Sequence, residues 1–134
     1  MEENFDLIPL LPLRGLLVYP EMLLHIDVGR EESIAALEYA LDHDDYIFLA
    51  SQKDPRVENP ELEDLYQVGT FGLIKEAKQL KNGSYRVLIE GLSRATLELI
   101  ERDTYDEFCF ASITLHPDEV EVTNEIEAYM RLLL

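Results

Sequence analysis

Basic residues are scarce in this chain: 11 lysines and arginines stand against 28 aspartates and glutamates, a formal charge of −17 over 134 residues. Binding to nucleic acid relies on cations that displace counterions from phosphates, so this balance argues against it. An anionic membrane surface is disfavoured for the same reason. Tryptophan is absent and cysteine occurs once, at Cys109. A lone cysteine closes no internal disulfide, which points to a reducing compartment. The opening residues, Met1-Glu-Glu-Asn4, lack the basic stretch and apolar run of a secretion signal. No segment approaches the roughly 20 apolar residues of a membrane span. These shortages together predict a cytoplasmic protein that meets neither nucleic acid nor membrane.

What is present is enough for a core. The length suits one domain and 47% of the residues are hydrophobic, an ordinary share for a globular fold. Pro9 and Pro12 keep Asp6–Leu13 extended. Leu24–Val28 reads as a short strand closed by Gly29. Ile34, Leu37 and Leu41 recur at helical spacing behind Glu31 and Glu32, whose charge suits a helix start. Asp42, Asp44 and Asp45 have the wrong sign for a helix end, so the helix stops before them. Tyr46–Ala50 is continuously apolar and bounded by charge, as a strand buried on both faces is.

Residues 51–64 read as a loop, with Pro55 and Pro60 in it. Three strands of antiparallel character are expected next, at 70–80, 84–90 and 95–100. Asn82-Gly83 is a type I′ hairpin signal, and Gly91 reads as a boundary between the second and third strands. Phe108–Leu115 makes a last strand. After Pro117 the character changes to a charged connector and a new amphipathic pattern. Domain boundaries follow: a β-rich unit over 1–117, then a linker and the start of a helix over 118–134. Ile126, Tyr129, Met130 and Leu133 share one face of that helix. The pattern stops at Leu134 without a closing signal, so the helix is expected to continue in a longer protein or to pack on a second copy.

Chemistry-bearing motifs are missing. There is no Gly-x-x-x-x-Gly-Lys-Ser/Thr phosphate loop and no Gly-x-Ser-x-Gly elbow. His25, His43 and His116 share no ligand spacing, and His25 reads as a partly buried residue of an apolar strand. Asp42-His-Asp-Asp45 points its side chains in different directions and reads as a solvated helix end rather than a metal loop. Ser93 has no neighbouring base. No catalytic residue, metal site or cofactor is expected. The remaining candidate is apolar: Leu16, Leu17, Tyr19 and Met22, with Val18, lie in or around a proline-bounded loop. They either form an exposed binding surface or plug one end of a small barrel.

Several phrases carry a resemblance. They are Leu11-Pro-Leu-Arg-Gly-Leu-Leu-Val-Tyr-Pro-Glu-Met22, Val28-Gly-Arg-Glu-Glu-Ser-Ile34, Gln52-Lys-Asp54, Asp64-Leu-Tyr66, Val68-Gly-Thr70 and Glu90-Gly-Leu-Ser-Arg-Ala95. In this order the chain, from about Leu7 to at least Ala95, resembles the amino-terminal domain of the Lon family of ATP-dependent proteases. It departs where the family commonly has a proline after the methionine and this chain has Leu23-Leu-His-Ile26.

The resemblance implies an α+β, mainly β fold: a twisted antiparallel or mixed pseudo-barrel of PUA-like type with one packed helix, followed by a C-terminal helix. It implies a non-catalytic domain that recognises unfolded or damaged proteins and helps subunits assemble. The parent would be an ATP-dependent endopeptidase with a Ser–Lys dyad, in a hexameric ring, whose ATPase and protease modules are absent here. The fragment alone is expected to be a monomer or weak dimer. Leu16, Leu17, Tyr19 and Met22 are the candidate substrate contacts, and Ile126, Tyr129, Met130 and Leu133 the candidate self-association face. Two alternatives stand beside this: a module for assembly alone, or a stand-alone adaptor. Arg14, Arg30 and Arg94 recur inside the matched phrases and are expected to bond carboxylates or strand ends.

Overall fold

A computed structural model of the chain describes residues 3–15, 18–58, 60–103 and 108–116. Its longest element runs straight through a glycine that the sequence marks as a boundary. In chain order the elements are β1 (Glu3–Leu13), β2 (Leu23–Val28), α1 (Glu31–Leu41) and β3 (Tyr46–Ser51). A short 3₁₀ turn (Leu62–Asp64) then leads to β4 (Val68–Gln79), β5 (Tyr85–Asp103) and β6 (Phe108–Leu115).

The strands follow the order β2-β5-β4-β3-β1-β6, and β6 pairs back onto β5. Five of them, all except β2, therefore close into a ring, with β2 attached outside it along the first half of β5. A ring with an odd number of strands cannot alternate direction all the way round. One neighbouring pair must be parallel, and it is β1 with β3, from Leu10 opposite Phe48 to Leu13 opposite Ser51. A parallel pair needs a long crossover, which β2 and α1 supply. The expected mixed pseudo-barrel with one packed helix is the fold observed.

Two apolar layers hold it together. Phe5, Leu10, Phe48, Phe71, Leu97 and Ile113, drawn from all five ring strands, fill the inside. Leu11, Leu13, Ile47 and Leu49 point the other way and pack with Leu37 and Ala40 of α1 and Ile26 and Val28 of β2. Every residue of β3 is buried, because one face lines the ring interior and the other lies in the helix-side layer. That is the arrangement its unbroken apolar run predicts.

Three local expectations need correction. The strands expected at 84–90 and 95–100 are one, β5, and Gly91 lies within it. Pairing with β4 slips between Phe71 and Gly72, opposite Ser93 and Gly91, so the irregularity bends the ladder without ending it. The 82–83 hairpin is present, but not as a type I′ turn. Asn82 does not take a positive φ; only Gly83 does, at 89°. The Gly83 N–H donates to the Leu80 carbonyl at 3.0 Å, and the Leu80 N–H to the Ser84 carbonyl at 2.8 Å. This is a three-residue loop with a left-handed glycine, the G1-bulge form. His25 is exposed rather than partly buried. On β2 the inward positions belong to Ile26 and Val28, and the alternation turns His25 to solvent.

The helix end follows its expected course. Asp45 adopts a positive φ of 66° and its N–H returns to the Ala40 carbonyl at 2.9 Å, work that a glycine often does after a helix. No helix among the described residues is long and apolar enough to cross a membrane. The proposed unit 118–134, with Ile126, Tyr129, Met130 and Leu133, lies outside the described residues, as do Leu16 and Leu17.

Candidate functional site

The turn between β1 and β2 is stapled to the middle of the long strand. Val18 is buried, and its carbonyl accepts the hydroxyl of Thr70 on β4. The Met22 N–H donates to the Tyr19 carbonyl at 3.1 Å, closing a turn around Pro20. Glu21 takes a φ of 70°, which a non-glycine residue holds only under outside constraint. That constraint is Gly91: the Glu21 N–H donates to its carbonyl, and its N–H donates to the Met22 carbonyl, both at 2.8 Å. The approach is so close that a Cβ on Gly91 would lie 2.3 Å from the Tyr19 carbonyl oxygen. Gly91 is thus required by Tyr19, far away in sequence, rather than by a turn of its own.

The staple turns Tyr19 outward. It is 50% exposed, and beside it Val68, at the start of β4, is 52% exposed. Both line a shallow cleft of about 230 Å³ whose other walls include Leu13, Thr70 and Arg94. Tyr66 and Leu62, just before β4, are also exposed. Met22 behaves differently: it is partly buried against the helix-side layer, and its Sδ accepts the Tyr19 N–H at 3.2 Å. Of the four residues singled out in this loop, Tyr19 lies at the surface, Met22 supports it from below, and Leu16 and Leu17 are outside the described residues. Val68 was missed, because alternation in a strand does not say which face meets water.

At its far end the ring closes next to this cleft. Leu115 pairs with Ala95, and the His116 N–H donates to the carbonyl of Arg94 at 2.9 Å. The Thr96 hydroxyl and the His116 Nε2 are hydrogen-bonded as well.

Two arginines of the matched phrases, Arg14 and Arg30, act on the frame. Arg30 donates to Gln52 Oε1 at 2.7 Å and to the Pro12 carbonyl at 2.8 Å, tying the start of α1 to β1 and to the segment after β3. Gln52 in turn donates to the carbonyls of Asp54 (3.0 Å) and Val57 (2.9 Å). Arg14 reaches the Val57 carbonyl at 3.2 Å. One loop is thereby held from three sides.

The Cys109 thiol is pushed up to about 11, first by burial and further by the nearby Glu32 carboxylate, so it stays protonated at neutral pH. Its Sγ lies 3.6 Å from Glu32 Oε1, itself 3.3 Å from Arg102. The Ser93 hydroxyl donates to the Arg94 carbonyl at 3.1 Å, which supplies no base. Among the described residues no group of three or more His, Cys, Asp or Glu side chains is arranged to hold a metal. His43 stacks on Tyr39, 3.8 Å between centroids, at a solvated helix end. The cleft beside Tyr19 offers contact surface.

Residues 7–134 match the family model described as the ATP-dependent protease La (LON) substrate-binding domain. The chain is 50% identical over 127 residues to the Lon protease of Brevibacillus choshinensis, covering 95% of this chain and 16% of the relative. It is 46% identical over 133 residues to Lon protease 1 of Bacillus subtilis, covering 99% of this chain and 17% of the relative. Among solved structures, the N-terminal domain of a Mycobacterium avium complex Lon protease superposes with a TM-score of 0.59 at 18% identity. That likeness covers 94% of this chain and 61% of the other. A Lon N-terminal domain protein from Xanthomonas campestris gives 0.55 at 12% identity, over 85% and 57% of the two chains. The chain thus spans about a sixth of the curated relatives it matches, and at such low identity the structural likeness speaks for the fold.

Proposed function

This chain belongs to the substrate-binding domain family of ATP-dependent Lon proteases, and we propose that it captures unfolded or damaged polypeptides through the apolar surface around Tyr19. The observation that carries this is the pair Tyr19 and Val68, each half exposed and both lining one cleft, while the turn that carries Tyr19 is stapled in place. An exposed apolar surface on a rigid frame binds extended apolar segments without ordering itself first. Leu16 and Leu17 extend the apolar character by sequence. Met22 serves by holding the turn.

A shallow cleft of this kind binds one segment at about 100 μM, or about −5.5 kcal/mol. That is weak alone and sufficient in a ring, where tethered copies raise the effective concentration to the millimolar range. The parent in this reading is a cytoplasmic, hexameric ATP-dependent endopeptidase with a Ser–Lys dyad. The identity to proteases of which this chain spans 16–17% supports that over a stand-alone adaptor. Help in assembly is a second role, favoured by the spacing of the apolar Ile126, Tyr129, Met130 and Leu133 in the sequence. Sedimentation of the chain with and without residues 120–134 tests it: equal behaviour at all concentrations removes this role.

Capture is tested by NMR titration of the labelled chain with a permanently unfolded, apolar-rich protein. Shifts are expected at Tyr19, Val68 and Thr70. The double substitution Tyr19→Ser, Val68→Ser should weaken binding roughly tenfold, as loss of two half-exposed apolar contacts implies. Unchanged affinity in the double variant overturns the capture surface.

A further inference from the structure

Strands β2, β5 and β4 form a three-stranded wing beside the ring, and the wing has two free edges. The first half of β5 lies in its middle, paired with β2 on one side and with the second half of β4 on the other. On β4, pairing with β3 ends at Leu73, and beyond it Lys75 and Lys78 stand exposed. Lysine on a sheet edge discourages a further strand from joining. The β2 edge has no such guard. Leu23–Val28 contains neither lysine nor proline, its register against β5 runs without a shift, and Leu23 is 59% exposed.

Two hydrogen bonds fix which main-chain groups of β2 face outward. In an antiparallel sheet, successive residues of a strand turn their N–H and C=O groups to opposite neighbours. At the hairpin the Leu80 N–H donates to the Ser84 carbonyl at 2.8 Å, so Ser84, Arg86 and Leu88 turn to β4. Tyr85, Val87 and Ile89 then turn to β2, where they face Val28, Ile26 and Leu24. From the other end, the Gly91 N–H donates to the Met22 carbonyl at 2.8 Å, which gives the same phase. Leu23, His25 and Asp27 therefore point their N–H and C=O groups away from β5, toward no strand among the described residues. Space lies beside this edge, since His25, Asp27 and Gly29 line a cleft of about 420 Å³.

Such an edge accepts another strand, and this one is complementary to itself. Facing residues of an antiparallel pair share a side of the sheet, so two β2 strands meet only in registers that keep Ile26 and Val28 on one side. A pair centred on His25 sets the two imidazoles face to face, and one centred on Asp27 sets two carboxylates face to face. Centring on Ile26 sets each His25 opposite the Asp27 of the second copy, while Ile26 meets Ile26 and Leu24 meets Val28. The same register brings the outward N–H and C=O groups of His25 and Asp27 opposite one another. In either protonation state the imidazole has an N–H to give a carboxylate. Arg86 engages Asp27 through Oδ1 at 3.0 Å, and Oδ2 remains for the imidazole.

We propose that β2 is a self-pairing edge: two copies of this chain join β2 to β2, antiparallel, about a twofold axis at Ile26, with His25 and Asp27 of each copy matched to Asp27 and His25 of the other. The apolar pairs across the junction continue the helix-side layer, to which Leu24, Ile26 and Val28 belong. This contact is independent of the capture reading and of the segment containing Ile126 and Leu133. Each copy carries a charge of −17, so the contact is a weak one that shows at high protein concentration.

Amide hydrogen exchange of the 134-residue chain, read residue by residue by NMR, tests this. The amides of His25 and Asp27 should exchange quickly in dilute protein and about fivefold more slowly at roughly 1 mM, as a Kd of about 100 μM implies. Leu24 and Ile26, already bonded to β5, should not respond. Sedimentation should show the mass rising toward twice 15.5 kDa over the same range. His25→Pro removes an outward N–H and spares the bonds to β5, so it should abolish both effects, with circular dichroism confirming the fold. His25→Asp alone should abolish them too, and adding Asp27→His should restore them, because the two positions exchange partners. Exchange at His25 and Asp27 that is the same at all concentrations overturns the proposal. So does a rise in mass that survives His25→Pro unchanged, or one that depends only on residues 120–134. Slowing by an unfolded protein, without slowing by more of the chain itself, also overturns it and gives the edge to captured polypeptide.

Discussion

The carbonyl oxygen of Tyr19 occupies the space that a side chain on Gly91 would need, at 2.3 Å from the ideal Cβ position. The exposed Tyr19 and the glycine in the middle of β5 therefore belong to one structural unit, joined by the two hydrogen bonds between Gly91 and residues 21 and 22.

Gly91→Ala is expected to destabilise the fold by about 2–3 kcal/mol, since backbone rather than a flexible side chain must move. Urea unfolding followed by far-UV circular dichroism measures it. The shift should be accompanied by loss of the Thr70–Val18 contact, visible in the amide resonances of both residues. A stable Gly91→Ala variant with unaltered resonances would mean the turn is not stapled here.

Arg30→Lys should cost about 1–2 kcal/mol despite keeping the charge. The planar fork reaches Gln52 and Pro12 at once, and a lysine ammonium on its single stem does not reproduce both bonds. The denaturation midpoint checks this, and Arg30→Gln should fall at least as far.

Cys109 predicts a pH dependence of definite sign. Its folded pKa is raised to about 11 from an ordinary value near 9. Above pH 9 the unfolded chain loses this proton while the folded one keeps it, so stability falls as pH rises from 9 to 11. Cys109→Ser should flatten that part of the profile. Native protein should also resist alkylation at pH 8, and a fast reaction with a thiol reagent there would contradict the burial.

The sequence carries some parts of this architecture openly. Tyr46–Ala50 reveals its two-sided burial because a run without polar interruption has no face to offer water, and α1 and β6 announce their bounds through spacing and flanking charge. Other parts depend on neighbours far along the chain. Gly91 reads as a stop because glycine weakens a strand, and its actual role is invisible without knowing that Tyr19 lies against it. His25 reads as inward until the register of β2 against β5 assigns that side to Ile26 and Val28. Of the site, Tyr19 was legible from its proline-bounded apolar loop, whereas Val68 was not. A valine at a strand start is exposed or buried according to what covers it, and nothing local records that nothing does.

The bond between His116 and Arg94 sets how the domain would bear a mechanical load. Tension entering at the Tyr19 turn passes through the Gly91 staple into β5, and leaves by way of Arg94 and Ala95 to the end of β6. The route crosses only five residues of one strand, Gly91 to Ala95. A pull on polypeptide held at that turn would load this short route in parallel with the chain's own links to β1 and β2, so the Gly91 staple shares the tension with both strands.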